Sequence, residues 1–242
     1  VGDIARLPIP DTIGTNDNDA AVAELIETSK ADWDARETSW NFAQSPLIAG
    51  ESLAKAYESH KNSCEDRVDR VTGLEARNNR YYLGAFKLEG QFPESVSRSR
   101  VSLDSNLAFR YRLMEEPDLQ TLGRAEEVKR FISYAEGCIF GRFSLDKPGL
   151  ILADQGSTVQ DYLTRVKSPS FMPDADNVIP IVDGDWFEDD IVSRFRHFLR
   201  TAYGEPQFEQ NLRFVTESLG VDDLRDYFVK SFYADHVQRY KK

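Results

Sequence analysis

A chain of 242 residues with 41 acidic and 30 basic side chains carries a formal charge of −11, and its hydrophobic fraction of 40% suffices for one large domain or two small ones. The acidic balance argues against a free-standing nucleic-acid binder, whose phosphate contacts need clustered Lys and Arg, although in a segment of a larger enzyme it speaks for that segment alone. No apolar run reaches the roughly 20 residues that span a bilayer and no signal peptide is visible, which predicts a cytoplasmic protein without a membrane role.

The chain starts at Val1 rather than Met and stops at Lys242 inside a helical pattern, so both ends read as cuts in a longer protein. Residues 1 to 9 read as a short strand or extended arm, with Pro8 and Pro10 preventing a helix, and residues 1–15 as the end of a preceding lobe or a linker. Thr15 to Asp19 offers N-caps and a negative first turn, and Ala20, Val22, Ala23, Leu25 and Ile26 follow on helical spacing, which predicts a helix over 17–31. Trp33 and Trp40, seven residues apart, would share one side of a continuous helix broken off by Pro46. With Phe42, and with Asp32, Asp34 and Glu37 around them, they read as core anchors rather than a base-stacking platform.

The strongest helical pattern runs over 51–82, through Leu53, Tyr57, His60, Cys64, Val68, Val71, Leu74 and Tyr81, with charged residues on the other face. Gly73 is its weak point, a place to bend or split. Residues 84–122 are interrupted by Gly84, Gly90, Pro93 and Pro117 and predict short helices and loops, which closes a helical connector over 16–122. A helical subdomain over 123–242 follows. It opens with a helix over 126–140 whose Gly137 and Gly141 permit close packing and a stop. Residues 148–153 predict a short strand, bounded by Pro148 and Gly156. Asp185 to Glu188 fits a variant capping box opening a helix with Ile191, Val192, Phe195, Phe198, Leu199 and Tyr203 as its stripe. Gly204, Pro206, Gly220 and Asp222 then punctuate two more helices. The predicted fold is mainly α: a multi-helical domain with one long amphipathic helix and a few short strands.

Few residues suggest chemistry. His60, His197 and His236 have no Cys or carboxylate at zinc-ligand spacing, and His60 on the apolar stripe reads as a satisfied core or interface side chain. Cys64 and Cys138 read as reduced, buried thiols. The acids Asp183 to Asp190 could bind a divalent ion, but they lack the calcium-loop pattern and suit a helix N-terminus. No nucleophile elbow, phosphate loop or nuclease pattern occurs. No catalytic, cofactor-binding or metal residue is therefore assigned. Arg98 and Arg100, in the Ser/Arg run from Ser95 to Ser102, are the candidates for contact with a DNA backbone, set against the commoner role of solvated arginines.

Several segments together resemble a family: Val1-Gly-Asp-Ile-Ala-Arg-Leu-Pro8, the Lys30 to Leu47 stretch with its two Trp, Phe131-Ile-Ser-Tyr-Ala-Glu-Gly-Cys-Ile-Phe-Gly-Arg-Phe143, Asn177 to Asp190, and Asp235 to Lys242. They resemble the large adenine-specific DNA methyltransferases of bacterial BREX phage-exclusion systems (PglX-type) and their type II restriction-modification relatives. The resemblance implies a parent that methylates adenine N6 in DNA with S-adenosylmethionine, through an Asn-Pro-Pro-Tyr motif beside a cofactor-binding sheet. In this chain no Asn is followed by Pro. What is implied is a helical region after the catalytic lobe, connecting it with target recognition and inactive alone, with DNA bound through the parent and other phage-defence proteins as further partners. Two alternatives remain: a protein-interaction module of a defence complex, or part of a fused restriction endonuclease and methyltransferase.

Overall fold

The computed structural model describes Ile13 and residues 18–241. The chain divides into two compact units, Val1–Trp33 with Asn62–Met114, and Asp34–Lys61 with Glu115–Lys242. Each draws on two separated stretches of sequence, an arrangement that a pattern read along the chain does not express. Among the described residues the regular structure is helical and no strand forms, so the mainly α expectation holds and the expectation of a few short strands does not. The strand expected near residues 1 to 9 lies outside the described residues. At 148–153 the backbone turns at Gly149 (φ +86°), and the N–H groups of Ile151 and Leu152 bond to the carbonyls of Arg142 (2.8 Å) and Gly141 (3.2 Å), neighbours in a turn rather than alternate residues of a ladder.

Helix α1 spans Asp19–Asp34, and α2 spans Leu53–Phe86 as one uninterrupted helix. Gly73 does not split α2; a Cβ there would meet nothing within 4 Å, so the glycine marks an open surface. In the first unit α1 runs antiparallel to the later part of α2. Glu24 takes a two-pronged ion pair from Arg70 (2.5 and 2.6 Å), and Asn18 Nδ2 donates to Asn78 Oδ1. Val68 and Val71 of α2 bury against Val101 and Leu103, with Leu25 and Val96 packed alongside. A single 3-10 turn, Arg98–Arg100, and the short α3, Leu107–Arg110, complete this unit.

The second unit is organised around α4, Glu116–Ile139, which begins ten residues before the predicted start. Pro117, expected to interrupt, sits in the first turn, where a missing N–H costs nothing and a fixed φ favours the helix. Val128, Phe131, Ile132, Ala135, Cys138 and Ile139 bury one face, and Ser133, Tyr134 and Gly137 are buried on the others, so the later part of α4 is covered on several sides. Its end follows the predicted stop: Gly141 adopts φ +73° and the Arg142 N–H returns to the Gly137 carbonyl at 2.7 Å. A Cβ on Gly137 would stand 2.5 Å from the Phe143 ring, which explains the need for glycine.

Around α4 pack α6, Ile191–Tyr203, and α7, Phe208–Leu219. Phe131, Tyr134, Phe171, Phe195 and Phe198 form a chain of edge-on, tilted and stacked rings at 5.5–6.4 Å. Before α6 lies α5, Val159–Arg165, opened by a reciprocal cap between Thr158 and Asp161. After α7, α8 (Leu224–Tyr227, capped by Asp223) passes through a π turn, Phe228–Phe232, into α9, Tyr233–Tyr240. The cap of α6 is Asp190, whose Oδ1 accepts the Ser193 N–H at 2.8 Å, and not the predicted Asp185. Asp185 is instead held by Arg225.

Candidate functional site

The Arg98–Arg100 turn is held from beneath. Asn106, buried, donates its Nδ2 to the carbonyls of Arg98 (2.7 Å) and Val101 (2.8 Å), and Val101 and Leu103 anchor the segment in the small core. Asp32 of α1 is likewise buried. Its Oδ2 accepts the Asp104 N–H at 2.6 Å and its Oδ1 accepts from Arg67 at 3.2 Å. The turn therefore has a fixed backbone and exposed tips. Arg98 is paired with Asp69 at 2.6 Å, while Arg100 is exposed with no ion-pair partner among the described residues. Both predicted residues thus share one turn, but only Arg100 offers an uncompensated charge.

Two more arginines follow on the same stretch. The Arg110 guanidinium lies 5.0 Å from the Tyr111 ring centre and that of Arg112 lies 5.0 Å from Phe109. Residues 98–112 thus hold four arginines against one acid, Asp104, in a chain that is acidic overall. Counting charge in that window finds Arg110 and Arg112, whereas the Ser/Arg composition singles out the first pair only.

The second unit buries two ionic networks. Glu127 accepts from Arg36 at 3.0 Å and from Arg130, with His60 Nε2 3.6 Å away. Burial opposes its charge, yet Arg130, His60 and Arg36 together hold its carboxyl well below the usual carboxylate range. His60 is accordingly a satisfied interior side chain, as its place on the stripe predicts. A second network joins Glu37 to Ser133 (2.7 Å), to Tyr240 and to Arg239 (3.6 Å). Next to it, burial and the Glu37 charge push the Glu136 carboxyl up to about 7, and burial pushes His236 down. His236 Nδ1 lies 3.5 Å from Glu136 Oε2 without forming a hydrogen bond. These networks tie α4 and α9 to residues 36–37; each charged group faces another protein group.

Cys64 and Cys138 are buried and form no disulfide, and burial raises the Cys138 thiol far above its ordinary value. Among the described residues no three His, Cys, Asp or Glu side chains stand where they could hold a metal ion.

The two tryptophans correct the prediction. Trp33 is 54% and Trp40 98% exposed, and only Phe42 of the segment's three large aromatics is buried, edge-on to Phe143 at 5.2 Å. The helix that would have aligned them ends at Asp34. The Asp34 carboxylate accepts from Ser39 Oγ at 2.6 Å, and Ser39 in turn accepts the Asn41 N–H. That local turn outcompetes helix continuation, as short polar side chains often do. Neither tryptophan is a core anchor.

Among curated proteins, the adenine-specific methyltransferase BrxX of Escherichia coli O9:H4 (strain HS) aligns with the whole chain at 31% identity over 21% of its own length. The chain is similar to adenine-specific methyltransferases. A second relative, the adenine-specific methyltransferase PglX of Lacticaseibacillus casei (strain Zhang), is 28% identical over 90% of the chain and 18% of its own length. The chain thus spans about a fifth of the length of the curated relatives it matches. No protein-family model matches it. No helix of the described residues is long and apolar enough to cross a membrane.

Proposed function

We propose that this chain is the helical region following the catalytic lobe of an S-adenosylmethionine-dependent, adenine-specific DNA methyltransferase of phage defence. It links that lobe with target recognition and has no methyl-transfer chemistry of its own. The observation carrying this reading is similarity to two adenine-specific methyltransferases, over the entire chain for one and 90% of it for the other, joined to a helical structure of the described residues and a sequence in which Asn-Pro-Pro-Tyr does not occur. Doubly wound sheets hold such cofactors at the carboxyl ends of their strands, and nothing of that kind is built here among the described residues. Arg98 and Arg100, on their fixed turn, contact the phosphate backbone in this reading, with Arg110 and Arg112 extending the positive stretch.

The test uses the full-length parent. Arg98→Ala with Arg100→Ala should weaken DNA binding uniformly across sequences and reduce the salt slope by about 1 for each phosphate no longer neutralised. Unchanged affinity and slope would remove these arginines from the interface. Titration of the 242-residue chain with S-adenosylmethionine should give no saturable heat, whereas the parent should bind it. Micromolar binding by the chain alone would overturn the reading.

A further inference from the structure

Residues 181–190, outside any helix, form a loop whose ends meet, the Ile191 N–H donating to the Pro180 carbonyl at 3.0 Å. Arg225 of α8 reaches into this loop. Its Nη1 donates to the Val182 carbonyl (2.9 Å) and to Asp190 Oδ2 (2.6 Å), and its Nη2 to Asp185 Oδ1. One planar, buried guanidinium engaging three acceptors along the loop fixes its shape, because the fork's donors have no freedom relative to one another.

The clamped loop turns apolar groups outward. Trp186 is 74% exposed, Phe187 52% and Ile181 47%. The indole folds over its own backbone: a Cβ on Gly184 would stand 2.1 Å from Trp186 Nε1, so this ring position requires glycine there. Asp183, Glu188 and Asp189 are exposed around the aromatic pair, and no Lys or Arg occurs anywhere from residue 168 to 193. Aromatic anchors on a rigid segment with a charged rim are the anatomy of a binding hot spot, since little side-chain or loop entropy is lost on docking.

We propose that this loop is the docking surface for a basic segment of a partner protein, one that presents arginine or lysine beside apolar side chains. The rim carboxylates attract the cation, the indole and phenyl faces accept it, and its apolar neighbours cover Ile181 and Phe187. A nucleic acid is disfavoured because seven carboxylates between 171 and 191 repel phosphate. A second copy is disfavoured because each carries −11.

The probe is a short fluorescent peptide of alternating arginine and leucine, titrated into the chain at physiological salt and followed by anisotropy. Saturable binding is expected. Trp186→Ala, and separately Asp183→Asn with Glu188→Gln and Asp189→Asn, should each weaken it by about tenfold or more. A control with the same charge change, Glu65→Gln with Asp66→Asn and Glu209→Gln, should leave it unchanged, and Trp186→Phe should retain most of it. Absence of saturable binding, equal weakening by the control, or equal binding of a glutamate-leucine peptide or duplex DNA would overturn the proposal. So would sedimentation showing that the loop variants dissociate a dimer of the chain.

Discussion

The two units hold themselves together by different means. The second unit buries a continuous apolar core through α4, α6, α7 and the turns beyond, rich in rings that touch edge to face, and sets buried ion networks around Glu127 and Glu37 beside it, while pairs such as Lys55 with Glu51 and Lys230 with Asp226 stay on its surface. The first buries a smaller set of aliphatic side chains, Ala21, Val68, Val71, Leu74, Val101 and Leu103, with no buried aromatic ring among its described residues, and places most of its charge pairs on the surface. Exposed pairs such as Arg70 with Glu24 contribute little, because water and salt screen them. The buried carboxylate of Asp32 adds to that small core a tie from α1 to the backbone of residues 104–105 and to Arg67. Where a core is too small to fix a loop, one well-satisfied buried polar group can do so at the cost of fragility to its loss.

The largest expected effect is in the aromatic core. Phe198→Ala, at a fully buried ring packed against Phe131, Tyr134, Phe171 and Phe195, should cost about 3 to 5 kcal/mol by denaturant unfolding. A loss no larger than that of a surface change would mean the second unit is not held by its rings. Next comes Asp32→Ala, which strands the Asp104 N–H and should cost about 2 to 3 kcal/mol, with hydrogen exchange rising first over residues 101–106. If exchange there stays slow, the contrast between the units collapses.

Glu136 sharpens the comparison through pH. Its folded pKa of about 7 lies above the ordinary carboxylate value, so ionising it in the fold is unfavourable. That cost is absent below the unfolded pKa, grows as pH rises and is complete above about 7. Glu136→Gln should therefore stabilise the chain more at pH 8 than at pH 5, by a difference of about 2 kcal/mol. His236, lowered by burial, works in the opposite sense, its contribution being lost as pH falls through the ordinary His range. A variant whose Tm offset from wild type does not change with pH would show that Glu136 meets more water than its burial implies. The smallest effect is at Trp40. With its side chain 98% exposed, Trp40→Ala should leave stability within about 0.5 kcal/mol, read as overlaid melting curves.

How legible these features are in the sequence follows from how local their causes are. The long helix, the stop at Gly141 and the breaks at Gly204 and Gly220 rest on side-chain spacing and on glycine's access to positive φ, both visible in a short window. The start of α4 is hard to place because Pro117 reads equally as a breaker or as a first-turn residue, and only the chain before it decides. The short helix after Thr158 carries a legible cap, Thr158 with Asp161, in a stretch whose apolar content is too low to attract a helical reading. The Trp33 and Trp40 pairing fails because a seven-residue spacing has meaning only if the helix continues, and Asp34 with Ser39 ends it. Arg98 and Arg100 can be picked out by composition, but the ion pair that occupies Arg98 comes from Asp69, 29 residues away, and no local pattern announces it. The Arg225 clamp is of the same kind: a single arginine 35 residues beyond the carboxylate it binds.

The π turn between α8 and α9 amounts to one residue more than an α-helix would use over the same rise. It works as a phase adjuster. Deleting Val229 would take out that extra residue and leave the phase beyond it unchanged, whereas deleting Ala234 within α9 would rotate every side chain beyond it by about 100° around the axis. Tyr240 would then swing off Glu37, and His236 off Phe232, although neither position had been altered. Insertions and deletions in this last stretch are thus constrained by angle rather than by length, and a change of one residue should be felt more than a change of a whole turn.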